Sequence, residues 1–190
     1  MPTIDFETLN EQAKLFAGFD AQDEQKLSEA MPHLLAELDH VTDAFYAELS
    51  CIPEASPFLE GRLDALKSTH RRWLEKIFTG PYDADFAAYM HRVGVVHVQV
   101  KLPEKFMASG IGLINKHLIP VLTQVFKEDP ARLGAIMKAV NGVTVYCLII
   151  MQVSYREHEL ERFMDVTGIS EALYSNLAAA YRQKTGVSPD

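Results

Sequence analysis

The sequence predicts an all-α domain. Apolar residues recur at helical spacing along almost the whole chain, and no stretch alternates apolar and polar residues as a half-buried strand would. Glycine and proline cut that pattern into segments of helix length.

Phe6, Leu9, Ala13 and Phe16 mark an amphipathic helix over 3–17, ended by Gly18. Asp20 or Asp23 caps a second helix containing Leu27, Met31 and Leu34. Pro32 falls inside that pattern, so a break or kink is expected there. Leu34, Leu38, Val41, Phe45 and Leu49 give a helix over 33–49, with Tyr46 at the edge of the stripe. CIPEASPFLEG, with two prolines and a glycine, reads as a loop. Leu59, Leu63, Leu66, Trp73 and Ile77 line a helix over 59–78, whose inner face is interrupted by polar Thr69 and His70.

TGPYD breaks the chain and Asp83 caps the next helix, where Phe86, Met90, Val93 and Gly94 share a face. His97 follows Phe86 by about three turns and points the same way, with Pro103 stopping the helix. A long helix over 104–126 carries Phe106, Leu113, Leu118, Val121 and Val125. Pro130 starts another, over 131–164, striped by Leu133, Ile136, Val140, Val143, Cys147, Met151 and Tyr155. Its middle, VTVYCLIIMQV, is apolar nearly all round and needs cover on both sides, one of which a second subunit can supply. A last helix is expected over 170–182. The organisation is one domain over 1–164 and a helical extension over 165–190, with no internal repeat.

The composition is ordinarily globular, with 48% hydrophobic and 23% charged residues in 190. A net charge of −8 disfavours nucleic acid and an anionic membrane surface as partners. Cys51 and Cys147 have no metal-ligand spacing and read as small buried hydrophobes in a reducing compartment. The start MPTIDFETLNEQ has no signal-peptide core. The apolar run Val143–Val153 is short of the roughly 20 residues that span a bilayer. The expectation is a cytoplasmic protein with neither nucleic acid nor membrane as partner.

Chemistry narrows mainly by elimination. HExxH and CxxC are missing, no pair of ExxH motifs is present, and the glycine-rich nucleotide loops and the CxxCH of covalently attached haem are missing too. What remains is His97, an imidazole directed into an apolar stripe. A buried imidazole needs a hydrogen-bond partner or a metal, and spacing alone leaves a satisfied core histidine and an iron ligand both open.

RVGVVHVQVKLPEKF resembles the proximal segment of the sensor globins, the haem domains of globin-coupled sensors and of protoglobin-like proteins. Val93-Gly94 precedes the histidine, and Leu102-Pro103-Glu104-Lys105-Phe106-Met107 follows it. ALKSTHRRWLEKIFTGPYDADF is similar to the family's distal helix and turn, and AFYAEL to its Phe-Tyr helix. The resemblance spans about residues 20–160. Phe106 stands where the family has tryptophan, Met107 where it often has tyrosine and Lys101 where it often has glycine.

The resemblance implies a globin fold with an extra N-terminal helix, packed around non-covalent haem b. It implies His97 as the iron ligand and Tyr46 as the distal hydrogen-bond donor, with Leu66 and Thr69 beside it. It implies Phe45, Phe58, Trp73, Met90, Val93, Val100, Phe106 and Met107 as cofactor walls. His70 is an alternative distal ligand. From the residues alone, Tyr46 and the aromatic walls are equally core, Thr69 is equally a helix threonine bonded to its own backbone, and His70 is an edge histidine. Arg72, Arg92 and Lys101 are cations near the site with no assigned carboxylate.

The function implied is a haem-based sensor of O2 or another diatomic gas, CO and NO included. It would signal through a homodimer of the 104–126 and 131–164 helices to a linked transmitter domain, with the extension as coupling segment. Two rivals remain at this stage. One is a haem enzyme such as an NO dioxygenase or peroxidase, against which stands the lack of an acid–base pair. The other is a haem-free globin-fold signalling module, against which stands the intact His97.

Overall fold

The structure is a computed structural model and describes residues 4–185, with the side chains of residues 182 and 185 excepted. Among the described residues it is helical throughout, with no strand. The elements are α1 (Phe6–Ala17), α2 (Ala21–Leu34), α3 (Leu38–Ser50), α4 (Ser56–Leu59), α5 (Leu63–Thr79), α6 (Ala84–Gln99), α7 (Lys105–Val125), α8 (Pro130–Thr167) and α9 (Glu171–Thr185). Residue 3, the expected start of α1, and residues 186–190 of the extension lie outside the described residues.

The caps follow local chemistry. Asp5, Asp20, Asp83 and Asp129 accept from first-turn amides of α1, α2, α6 and α8, satisfying donors that a helix start leaves unpaired. Gly18 and Gly168 end α1 and α8 in the left-handed conformation.

Several elements differ from expectation. Pro32 does not end α2, which runs on to Leu34; the chain turns two residues later and α3 starts at Leu38. A proline near a helix end forfeits one hydrogen bond, and continued burial of Leu34 offsets that loss. Part of CIPEASPFLEG is not loop but the short helix α4, with Pro57 in its first turn, so α5 starts at Leu63 rather than Leu59. Phe16, assigned to the α1 stripe, is 76% exposed, because α1 buries Asn10 and Ala13 instead. Cys51 is exposed, while Cys147 is buried as expected. Helix α6 ends at Gln99, before Pro103, and Lys101 takes the left-handed conformation (φ 58°) that glycine adopts most cheaply.

Helix α8 is the central element and packs against α6, α1, α2 and α7. It is long and apolar enough to cross a membrane by length and composition, more so than its central run implied, and half of that window is buried inside the protein. A buried polar chain ties α1 to this core. Tyr146 Oη donates to Asn10 Oδ1 (2.6 Å), Asn10 Nδ2 donates to the Tyr82 carbonyl (3.3 Å), and Tyr82 Oη donates to the Ile77 carbonyl (2.7 Å).

The α6–α8 crossing positions the site. A Cβ at Gly94 would lie 2.6 Å from the Met151 carbonyl oxygen and 2.7 Å from Ser154 Oγ. Ser154 Oγ donates to the His91 carbonyl (2.9 Å), and His91 Nε2 lies 2.8 Å from Glu157 Oε2. Only glycine allows this approach, since the nearest atom belongs to the Met151 backbone and cannot swing aside. Gly94→Ala is therefore expected to destabilise the fold by about 1–3 kcal/mol, the usual cost of overpacking, read as a lowered Tm.

Candidate functional site

Helix α5 packs on α2 and α3, and α6 packs on α8 and α1. Between these two groups lies a cavity of about 330 Å³, walled by α3, α4, α5, α6 and α7 with Met151 from α8. Its lining is overwhelmingly apolar, and exposed Val96 and Val100 border its open side. That volume is within the range of small-molecule and cofactor sites.

The cavity brings together Phe45, Tyr46, Phe58, Leu66, Thr69, His70, Trp73, Val93, His97, Val100, Phe106 and Met107, all expected from the sequence. Met90 is the exception. It is fully buried beside the cavity, where its Sδ accepts the Trp73 Nε1–H (3.3 Å) and so holds the Trp73 wall. The apolar face of α6 is broad. Its Phe86, Met90 and Gly94 edge enters the core, and its Tyr89, Val93 and His97 edge lines the cavity.

His97 comes from the last turn of α6. Its Nδ1 lies 2.7 Å from the Val93 carbonyl oxygen, which can only accept, so Nδ1 carries the proton and Nε2 keeps its lone pair. Nε2 has no protein partner among the described residues. Burial lowers the imidazole pKa, against a smaller raising effect of the Val93 bond, so the ring is neutral. A neutral imidazole with its Nε2 lone pair free is the form that can ligate a metal, and here the backbone sets its orientation.

Tyr46, from α3, lines the cavity with no hydrogen-bond partner for its hydroxyl among the described residues. Burial pushes its pKa up to about 12, so it stays a donor across the working pH range. Thr69 is committed elsewhere. Its hydroxyl donates to the Ala65 carbonyl (3.0 Å) and accepts from Arg72 Nη2 (3.4 Å), which is the back-bonded alternative.

His70 is not an edge histidine. Its ring stacks on Phe45 (4.7 Å, 14°) and on Trp73 (5.9 Å, 13°), and Nδ1 lies 3.1 Å from Thr42 Oγ1. Nε2 is buried without a partner. Burial pushes its pKa down to about 4, so it is neutral.

Arg72, Arg92 and Lys101 do not line the cavity. The cation that does is Arg62, from the turn before α5, and nothing in its local sequence distinguishes it. Its Nε and Nη2 donate to the Phe58 carbonyl (3.2 and 2.9 Å), which leaves three of five guanidinium N–H groups for an anion. Tyr89 was also missed, although its spacing to Val93 and His97 is helical.

The neutral buried His70 makes stability pH-dependent. Its folded pKa of about 4 lies below the unfolded value of 6.5, so the unfolded chain binds more protons between them. Its contribution is complete above pH 6.5 and is lost as pH falls towards 4. The expected loss is about 3 kcal/mol between those limits, seen in denaturant melts of the unliganded chain and much reduced in His70→Leu.

The profile of the Protoglobin family matches residues 7–161. The globin domain of a Geobacter sulfurreducens globin-coupled sensor is 27% identical and superposes with a TM-score of 0.71, covering 77% of this chain and 97% of that one. The ferrous globin domain of E. coli DosC is 20% identical with a TM-score of 0.61, covering 76% and 99%. Its ferric form is 22% identical with a TM-score of 0.60, covering 78% and 99%. A search of curated proteins returns no match. A cavity lined by an oriented neutral histidine thus sits in a globin fold, and the chain belongs to the Protoglobin family.

Proposed function

We propose that this protein is a haem-based sensor of a diatomic gas, with oxygen as the ligand its distal side suits. The observation that carries the reading is His97, whose Nδ1–H is held by Val93 while Nε2 is left without a partner in an apolar cavity. Membership of a globin family implies a haem cofactor, and the residues present fit one. The walls suit a flat apolar ring, His97 offers one imidazole lone pair, and Arg62 offers N–H groups to a porphyrin carboxylate. Haem b supplies an iron that binds one diatomic molecule reversibly.

The chain's own residues do the rest. The Val93 bond orients the His97 ring and strengthens it as a donor. The aromatic and aliphatic walls keep water away, which strengthens every polar contact inside. Tyr46 Oη–H is the donor available to a polar ligand, and it favours oxygen over the less polar carbon monoxide.

A path for the signal leads from the same helix. Leu102 N–H donates to the His97 carbonyl (2.9 Å), and Tyr155 Oη of α8 donates to the Leu102 carbonyl (3.0 Å). Movement of His97 therefore reaches α8. We place a homodimer interface on the outer faces of α7 and α8, supported by half-buried Val145, Leu148 and Ile149 and by Ile119, which is 44% exposed. Residues 165–190 act in this reading as the segment coupling the domain to a transmitter. A two-state rearrangement of that bundle is the element a ligand would bias.

The test is an absorption spectrum of the purified, haem-supplemented chain, oxidised, reduced and with carbon monoxide. A Soret band is expected, and His97→Ala should abolish the wild-type ferrous spectrum; an unchanged one removes His97 from the axial role. Tyr46→Phe should speed oxygen release about ten-fold, the effect of losing 1–2 kcal/mol of hydrogen bonding, measured by stopped flow.

A further inference from the structure

Thr42 lies inside α3 and is 3% exposed. A hydroxyl buried there must donate its hydrogen or bear the cost of desolvation. Threonines within helices commonly bond the carbonyl four residues back. Thr69, Thr79, Thr123, Thr144 and Thr167 do this in the present structure, at 2.7 to 3.0 Å. Thr42 makes no such bond among the described residues. Its partner is Nδ1 of His70, at 3.1 Å.

The neutral His70 ring has one N–H proton to place. If Nδ1 carries it, Nδ1–H donates to Thr42 Oγ1. The Thr42 hydrogen then has no acceptor, and Nε2 is a bare lone pair with no partner. If Nε2 carries it, Thr42 O–H donates to Nδ1 and the Nε2–H alone is left over. The first arrangement strands two buried polar groups and the second strands one, so the second is favoured.

We propose that Thr42 locks His70 in its Nε2–H form, making His70 a second hydrogen-bond donor to a ligand in the cavity and barring it from ligating iron. The inference rests on the reading of the cavity as a haem and gas site. The Phe45 and Trp73 stacks hold the ring in its slot, and the Trp73 bond to Met90 fixes one of those walls. His70 lines the cavity beside Tyr46, and its Nε2 is covered with no acceptor among the described residues, so a polar ligand drawn in against the ring is the acceptor left for Nε2–H. Iron ligation by Nε2 would need the proton moved to Nδ1 and would strip Thr42 of its acceptor. Thr42 is thus a positioning residue that acts through His70.

The lock is read directly by two-bond ¹H–¹⁵N correlation spectra of the histidine rings in the full chain, with His70 assigned by its loss in His70→Leu. The wild type should show a single Nε2–H form, Thr42→Val a mixture, and Thr42→Ser the wild-type pattern again. In the ferrous haem-loaded chain without added ligand, Thr42→Val should gain a six-coordinate low-spin component that the Thr42→Val/His70→Leu double variant lacks. His70→Leu alone should speed oxygen release about five-fold, as expected for one neutral hydrogen bond. An Nδ1–H form in the wild type overturns the proposal. So does a six-coordinate wild-type spectrum lost in His70→Leu, or a Thr42→Val chain matching wild type in both ring form and ferrous spectrum. Absence of a Soret band after haem supplementation would instead sink the haem reading, while the tautomer stays readable in the purified chain.

Discussion

The approach of α6 to α8 at Gly94 is the constraint on which the rest depends. With no side chain between them, the Met151 backbone presses against α6, and Ser154 and Glu157 of α8 hold α6 at His91, about one turn before that point. One edge of α6 is thereby committed to the core. The other edge, with Val93 and His97, is left facing a space that α5 does not fill, because α5 packs on α2 and α3. The cavity is a consequence of how two helix groups divide in this protoglobin fold.

Within that space the polar groups are few and their hydrogens are already allocated. Val93 takes the His97 proton at Nδ1 and leaves a lone pair at Nε2. Ala65 takes the Thr69 hydrogen, which removes Thr69 from the list of donors. Thr42 does not bond the carbonyl four residues back and meets His70 instead. Two histidines line one cavity with different groups on Nδ1. A carbonyl, which only accepts, leaves Nε2 its lone pair; a hydroxyl can donate to Nδ1 and, in the arrangement proposed above, leaves Nε2 the proton.

Helix α8 joins the site to the outside of the molecule. Its buried half forms the floor of the domain, and Tyr155 reaches the turn that follows His97. Lys101 in that turn occupies a backbone conformation costly for any residue with a Cβ, so the bond between Tyr155 and Leu102 helps hold a geometry the local sequence does not favour.

Periodicity and punctuation determine much of this protein. Most of the helices, the cap at Asp83 and the inward direction of His97 follow from spacing and local punctuation, whereas His97 and Tyr46 enter as candidate site residues through the resemblance to sensor globins. Local signals fail where a second segment decides. Phe16 has helical spacing but stays mostly exposed, Met90 shares a face with His97 but is drawn into the core through Trp73, and α4 forms in a stretch whose prolines read as loop. Arg62 reaches the cavity because the α4–α5 turn carries it there. The meeting of Thr42 with His70 joins residues on different helices. A repeat of apolar residues specifies that a face will be buried, but not which partner will bury it. Which hydrogens are spent and which remain for a ligand is decided only when distant helices come together.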